Sequence, residues 1–383
     1  APNYSGGAHP KNFNASNLKL EDVSMKDYDM YIDGKQVVCQ KQGDYLVHSI
    51  QKNRNAIGAP SSSSSRHTLL ILKLDNNGFW YPLQDIFVRY EGDDTTNSGD
   101  PIVPVGRRAN SVSFFSGQNK FAVLWEDTQN VQIYKLNDNG LFSLEEEIPE
   151  FEGIFEGFEV EIFDSNGRDR GYGECSVANE NTVLVSRAAI ISETQATKHQ
   201  LTGDTLSACV FVYKKDGFGT WGLDDLIINP EYKISLDNRG ANIKAHNEYL
   251  ITSGREYDRG PWGPTDIGVV LLYRYNGKKY EFLRRFTSDT IKNLDANGEP
   301  IDDNFDSFFG DYIALSVDEN NEPVIITSAS GEDGVSGDGD GTLYIFRKRP
   351  DVDEWVSQKI RPQQFVQKIP SGVTPGFQII GQG

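Results

Sequence analysis

Short apolar runs, each cut off by turn-forming residues, follow one another from about residue 33 to residue 362, and no segment of helical period is long enough to compete with them. The clearest unit is strand, tight turn, strand, with an aromatic residue just after the turn. Residues 69–74 lead through Asp75-Asn76-Asn77-Gly78 to Trp80, and 131–136 through Asn137-Asp138-Asn139-Gly140 to Phe142. Residues 210–214 lead through Asp216-Gly217 to Trp221, 270–275 through Asn276-Gly277 to Tyr280, and 343–347 through Pro350-Asp351 to Trp355. Asn-Gly and Asp-Gly supply the positive φ of two-residue hairpin turns, so turn chemistry and β-branched flanks agree.

A second apolar strand precedes each hairpin, at 45–49, 121–125, 182–186, 249–253 and 324–328. A third precedes that one, at 36–39, 111–115, 173–178, 241–245 and 309–315. The aligned positions Leu72, Tyr134, Tyr213, Tyr273 and Phe346 lie 62, 79, 60 and 73 residues apart, which is an internal repeat. Four antiparallel strands per repeat predict an all-β chain, a β-propeller of four-stranded antiparallel blades with five complete repeats and a partial or shared sixth.

The last unit carries a family resemblance. Phe309-Gly310, then Val324-Ile325-Ile326-Thr327-Ser328-Ala329-Ser330, then Gly341-Thr342-Leu343-Tyr344-Ile345-Phe346 resembles the FG-GAP repeat of integrin α-chain propellers and their relatives. The other units keep the strand order and late aromatic but lose the Phe-Gly opening and the Gly-Ala-Pro. The resemblance spans roughly residues 33–362 and implies a propeller with a calcium loop between the first two strands of a blade. In the last unit Asp318, Asn320 and Glu322 occupy the first three ligand positions, but the ninth falls on Ile326, a degenerate loop.

The pattern divides the chain into an N-terminal arm (1–25), the propeller (26–362) and a C-terminal strand segment (363–383). Phe377, Ile379 and Ile380 read as the first strand of a sixth unit. Either the ends close the ring within one molecule or a terminal strand completes a neighbour's sheet, because an unpaired edge is a template for pairing. Numbering starts at Ala1-Pro2 rather than Met, which suits removal of a signal segment, but it is mostly the acidic, Gly- and Asn-rich composition that leads to the expectation of an extracellular protein, with sequons at Asn3 and Asn14 as candidate glycosylation sites.

Long connections fall between second and third strands, at 51–67, 187–207, 255–268 and 331–341, and between blades, near 87–108 and 149–170. In a propeller both sets emerge on one face, where a rigid scaffold presents binding loops. That face is rich in carboxylates: Asp93, Asp94, Glu150, Glu152, Glu156, Asp302, Asp303, Asp306, Glu332, Asp333, Asp338 and Asp340. Such clusters form calcium sites or a solvated acidic surface.

Charge removes some partners. The 37 Lys and Arg against 56 Asp and Glu give a net charge of −19, which repels phosphate backbones and anionic lipid, so nucleic acid is excluded as a partner. The apolar runs fall far short of the roughly 18 residues of a membrane span. The cysteines Cys39, Cys175 and Cys209 lie in strand-like runs without CxxC spacing and read as buried thiols. The five histidines show no metal-ligand spacing, Gly337-Asp338-Gly339-Asp340-Gly341 lacks the lysine of a phosphate cradle, and no catalytic motif stands out. The aromatics after each hairpin read as packing between blades before sugar platforms.

From these features the expectation is a secreted, non-enzymatic adhesive or structural subunit that self-assembles through its termini and loop-rich face, with itself, glycans or cell-surface proteins as partners. A glycan-binding propeller lectin acting as a discrete particle is the alternative, and a carbohydrate-active hydrolase or lyase the third reading.

Overall fold

The computed structural model describes residues 28–29, 39–52, 66–86, 109–125, 130–149, 151, 153–155, 158–161, 173–191, 205–228, 242–254, 268–288, 308–332, 341–349 and 354–360. The chain divides into two compact units, residues 1–150 and 151–383. Among the described residues every regular element is a strand, and the fold is an all-β propeller type with five four-stranded antiparallel blades.

The first unit holds two blades. A short β1 (Tyr28–Asp29) pairs with β3 (Tyr45–Lys52), which sits between β2 (Cys39–Gln42) and β4 (Arg66–Leu74), with β5 (Trp80–Ile86) outermost. The second blade is β6 (Ala109–Phe114), β7 (Lys120–Trp125), β8 (Val131–Leu136) and β9 (Phe142–Ile148). The second unit holds three. Its first blade comprises β12 (Cys175–Asn179), β13 (Thr182–Ile191), β14 (Thr205–Lys215) and β15 (Trp221–Ile228), widened by β10 (Gly153–Phe155) and β11 (Phe158–Glu161). The next is β16 (Asn242–His246), β17 (Tyr249–Gly254), β18 (Val269–Tyr275) and β19 (Tyr280–Phe286); the last is β20 (Phe309–Val317), β21 (Pro323–Ala329), β22 (Thr342–Lys348) and β23 (Trp355–Ile360). A sixth blade is not among these, and Phe377, Ile379, Ile380, Asn3 and Asn14 lie outside the described residues.

Within each unit, successive blades pack face to face. Tyr45, Val47, Leu69 and Ile71 of the first blade share a core with Val112, Phe121, Val123 and Phe142 of the second. Phe142, the aromatic after the hairpin, meets Tyr45 edge-on at 5.2 Å and Phe121 at 5.0 Å, so it packs between blades as expected. Trp355 does the same against Phe286, 4.9 Å away. Side chains also bond the backbone of the neighbouring blade's first strand or the turn after it, which ties successive blades together. Gln42 Nε2 donates to the carbonyls of Phe115 and Gln118 at 2.8 and 2.9 Å. In the second unit Glu174 accepts from the Ile243 N–H at 2.9 Å, Ser176 from the Ala245 N–H at 2.8 Å, and Asn242 donates to the Asp311 carbonyl at 2.9 Å.

The Phe-Gly opening of the last unit has a physical reason. Phe309 is fully buried against Tyr344 and Phe346, while Gly310 has φ +92° and a Cβ there would stand 2.9 Å from both Ser253 Cβ and the Val269 carbonyl oxygen. Only glycine fits that approach at a left-handed φ.

Several strand bounds differ from the pattern. The expected loops at 51–67 and 187–207 are shorter because the strands continue to Lys52 and Ile191 and begin again at Arg66 and Thr205. Ala188-Ala189-Ile190-Ile191 is an apolar run that keeps pairing with Thr205–Ala208, and the linker expected at 149–170 contributes the β10–β11 hairpin, whose Val160 pairs with Ile191. The turns at 75–79, 137–141 and 216–220 are one residue longer than a two-residue hairpin, closing Asp75 N–H to the Phe79 carbonyl at 2.8 Å and its equivalents. A recurring bulge sits in the outer strand of four blades, at Leu83, Glu145, Asp224 and Leu283. An extra residue of this kind leaves no trace in periodicity.

Candidate functional site

The two ends of the last blade use carboxylates in opposite ways. At the β20–β21 turn, Asp318 accepts the N–H groups of Asn320 and Glu322 at 2.8 and 2.9 Å, and Asn321 takes φ +61°. Asp75, Asn137 and Asp216 each hold two turn N–H groups the same way, so Asp318 serves its own backbone as an Asx turn. Asp318, Asn320 and Glu322 thus lie together, and among the described residues no group of three or more His, Cys, Asp and Glu is arranged to hold a metal ion.

The opposite end gathers the end of β21, the start of β22, the end of β23 and, from the preceding blade, the segment after β19. Four side chains from these elements converge. Glu332 follows β21, Tyr344 lies in β22, Lys359 in β23, and Ser288 lies two residues past β19. Both the Ser288 hydroxyl and the Tyr344 phenol donate to Glu332 Oε1, and the two hydroxyl oxygens are 3.1 Å apart. Lys359 Nζ stands 3.5 Å from Glu332 Oε2 and 4.8 Å from the centre of the Tyr344 ring.

Glu332 is 1% exposed, Ser288 2% and Tyr344 0%, while the Lys359 side chain retains 21% and is the outer member. A carboxylate taken out of water needs both an opposite charge and hydrogen bonds, and this one has both. The backbone fixes it as well: Glu332 N–H donates to the Ala329 carbonyl at 3.2 Å, and Gly341 N–H to the Glu332 carbonyl at 3.1 Å. Thr342 follows, fully buried, with a hydroxyl that makes no hydrogen bond among the described residues. Chemically this is a carboxylate accepting from two hydroxyl donors and facing a cation, an arrangement in which the carboxylate can take a proton from either hydroxyl.

Of the carboxylates expected on the loop-rich face, Glu332 alone lies among the described residues, and it is buried rather than part of a solvated surface. Ser288, Tyr344 and Lys359 were invisible in the sequence, because the four positions span 72 residues and no local motif links them. The nearest signal was the Gly-rich stretch between Glu332 and Tyr344. The buried thiols expected at Cys175 and Cys209 are observed, neither in a disulfide, and burial pushes the Cys209 thiol up to about 12. No helix of the described residues is long and apolar enough to cross a membrane.

No family model matches the chain, and no curated protein matches it, so the FG-GAP resemblance is not joined by a family match. Similar solved structures include a periplasmic gluconolactonase of Pseudomonas aeruginosa, 11% identical with a TM-score of 0.38, over 83% of this chain and 68% of that one. A putative 6-phosphogluconolactonase from Bacteroides uniformis is 9% identical with a TM-score of 0.38, over 85% and 84%. A thermostable family-43 glycoside hydrolase is 11% identical with a TM-score of 0.32, over 85% and 93%. These findings correct two expectations, that the chain is no enzyme and that it is an adhesive or structural subunit: enzymes stand among the similar structures, and the adhesion, filament, integrin-like and secreted readings gain no support. At these identities and TM-scores no substrate passes from them to this chain.

Proposed function

We propose that the chain is an enzyme-like propeller that hydrolyses an ester bond of a small polyhydroxylated molecule, a lactone being the simplest such substrate. The observation that carries this reading is the Ser288 hydroxyl donating to the buried Glu332 carboxylate beside Tyr344 and Lys359. Glu332 takes the Ser288 proton as Oγ adds to the carbonyl carbon, and the Tyr344 hydroxyl donates to the oxygen that gains charge. The ring C–O bond breaks, the departing alkoxide takes the proton from Glu332, and water then releases the acyl group by the same route in reverse. Lys359 balances the charge of the carboxylate between steps.

Glycosidic cleavage fits less well. It takes two carboxyl groups flanking the scissile bond, and this cluster holds one. The names of the similar structures supply the compounds to try first. Proton release from gluconolactone, beside hydrolysis of nitrophenyl esters and nitrophenyl glycosides, is the test. Turnover of the lactone or esters, lost in Ser288→Ala, is the expected result; turnover of glycosides alone, or of none, overturns the reading.

A further inference from the structure

Thr342 opens β22 at the end of the last blade where Glu332 lies. It pairs with Ala329, whose carbonyl accepts the Glu332 N–H at 3.2 Å, and the residue before it, Gly341, donates its N–H to the Glu332 carbonyl at 3.1 Å. Two backbone hydrogen bonds therefore hold the start of β22 against Glu332. Side chains alternate along a strand, so Thr342, Tyr344 and Phe346 share one face of the sheet. That face packs on the fourth blade: Tyr344, Phe346 and Ala329 lie in one core with Val270 and Phe286. Ser288, two residues past Phe286, meets the Tyr344 hydroxyl from that side. Thr342 thus lies on the face that receives Ser288, at the end of the blade that holds Glu332.

The Thr342 side chain is fully buried, and its hydroxyl makes no hydrogen bond among the described residues. Burying a hydroxyl without a partner costs free energy, and valine, of the same shape, would fill the position without that cost. A threonine kept here points to a polar ligand small enough for an enclosed site, and water is the smallest. Building on the ester hydrolysis proposed above, we propose that Thr342 holds the water that clears the acyl group from Ser288. The Thr342 hydroxyl donates to the water oxygen, and one water proton points to the Glu332 carboxylate. As the water oxygen adds to the acyl carbon, that proton passes to Glu332. The bond between the acyl carbon and Ser288 Oγ then breaks, Oγ takes the proton from Glu332, and the free acid leaves. Thr342 has no part in the first half of the reaction, in which Ser288 Oγ attacks the ester.

Rapid mixing of the full chain with nitrophenyl acetate separates the two halves, since nitrophenol appears at once with acylation and continues to appear only as water clears Ser288. Thr342→Val is expected to keep the first release of nitrophenol within about threefold of the wild type and to slow the steady release at least about tenfold, with an acetyl group accumulating on Ser288 by peptide mass spectrometry. Thr342→Ser keeps the hydroxyl and restores the steady release. The urea midpoint of Thr342→Val stays or rises, because no hydrogen bond is lost; a fall reveals a structural partner and overturns the proposal. Equal slowing of both phases overturns it too, as does a serine variant as slow as valine. Normal acetylation with unchanged clearance in Thr342→Val overturns this proposal alone, whereas a wild type that never carries the acetyl group on Ser288 overturns the ester-hydrolysis reading and this proposal with it.

Discussion

Two carboxylates at opposite ends of the last blade show how little a residue type says about its role. Asp318 sits in a hairpin turn and spends its oxygen on the N–H groups of Asn320 and Glu322, two and four residues away. Glu332 sits after the next strand, fully buried, and its oxygens go to side chains 44, 12 and 27 residues distant along the chain. The first carboxylate replaces a backbone partner in a turn that recurs in other blades. The second is held in place by parts of two blades, which leaves a hydroxyl and its proton acceptor aligned. A carboxylate fixed by its own turn can be exchanged for an amide, as Asn137 already does. One fixed by remote side chains cannot be removed without taking the acceptor from two buried hydroxyls and the counter-charge from the partly exposed Lys359.

The largest break of this comparison is Glu332→Ala. Removing the carboxylate takes the acceptor from two buried hydroxyls and the counter-charge from Lys359, and a loss of about 2–3 kcal/mol is expected. Urea denaturation followed by tryptophan fluorescence measures it, and a loss below about 1 kcal/mol would place Glu332 with ordinary surface carboxylates. Ser288→Ala sharpens the comparison on the chemical side: ester turnover falls by at least about a hundredfold while the urea midpoint moves little. At the other end, Asp318→Ala removes an Asx turn and costs about 1 kcal/mol, read as a shift in midpoint, with activity unchanged.

The smallest effect is a pH dependence. Backbone N–H groups, that of Phe79 above all, hold the exposed Asp75 carboxyl below its ordinary range. A depressed folded-state value means the turn's contribution is present above the ordinary carboxylate range and is lost as pH falls through the lowered value. Asp75→Asn keeps the acceptor oxygen and removes the titration, so the protection factors of the Asn77 and Phe79 amides, corrected for intrinsic exchange, lose their fall in acid. Loss of protection at neutral pH in that variant would contradict the equivalence of Asp and Asn in these turns.

The sequence was most legible where a residue acts on its neighbours. The hairpins after Leu74, Leu136 and Tyr275 were readable because Asx and Gly dictate turn geometry locally, and five four-strand units followed from their spacing. The outer-strand bulges were not, since one extra residue at Glu145 or Leu283 looks like any other position in an exposed strand. The apolar pattern ends at Ser186 because Arg187 and the alanines after it lack the usual β-branched signature, yet in β13 pairing continues to Ile191. The Ser288–Glu332–Tyr344–Lys359 cluster was illegible in principle: Glu332 stood in an acidic, glycine-rich stretch that read as solvated surface. Only the stacking of one blade on the next brings Ser288 to it. The sequence also pointed toward adhesion by way of a family resemblance confined to strand order and one Phe-Gly opening. That opening is explained by how closely Gly310 passes Val269, a packing requirement that carries no activity with it.

The most direct test of the account is covalent labelling of the intact chain with a fluorophosphonate, followed by peptide mass spectrometry. A serine whose proton is held by a carboxylate displaces fluoride from phosphorus, and the account expects the added mass on Ser288, at least about tenfold slower in Glu332→Gln and unchanged in Asp318→Asn. Ser288 left unmodified while other serines react, or labelled equally fast without the Glu332 carboxylate, would contradict it.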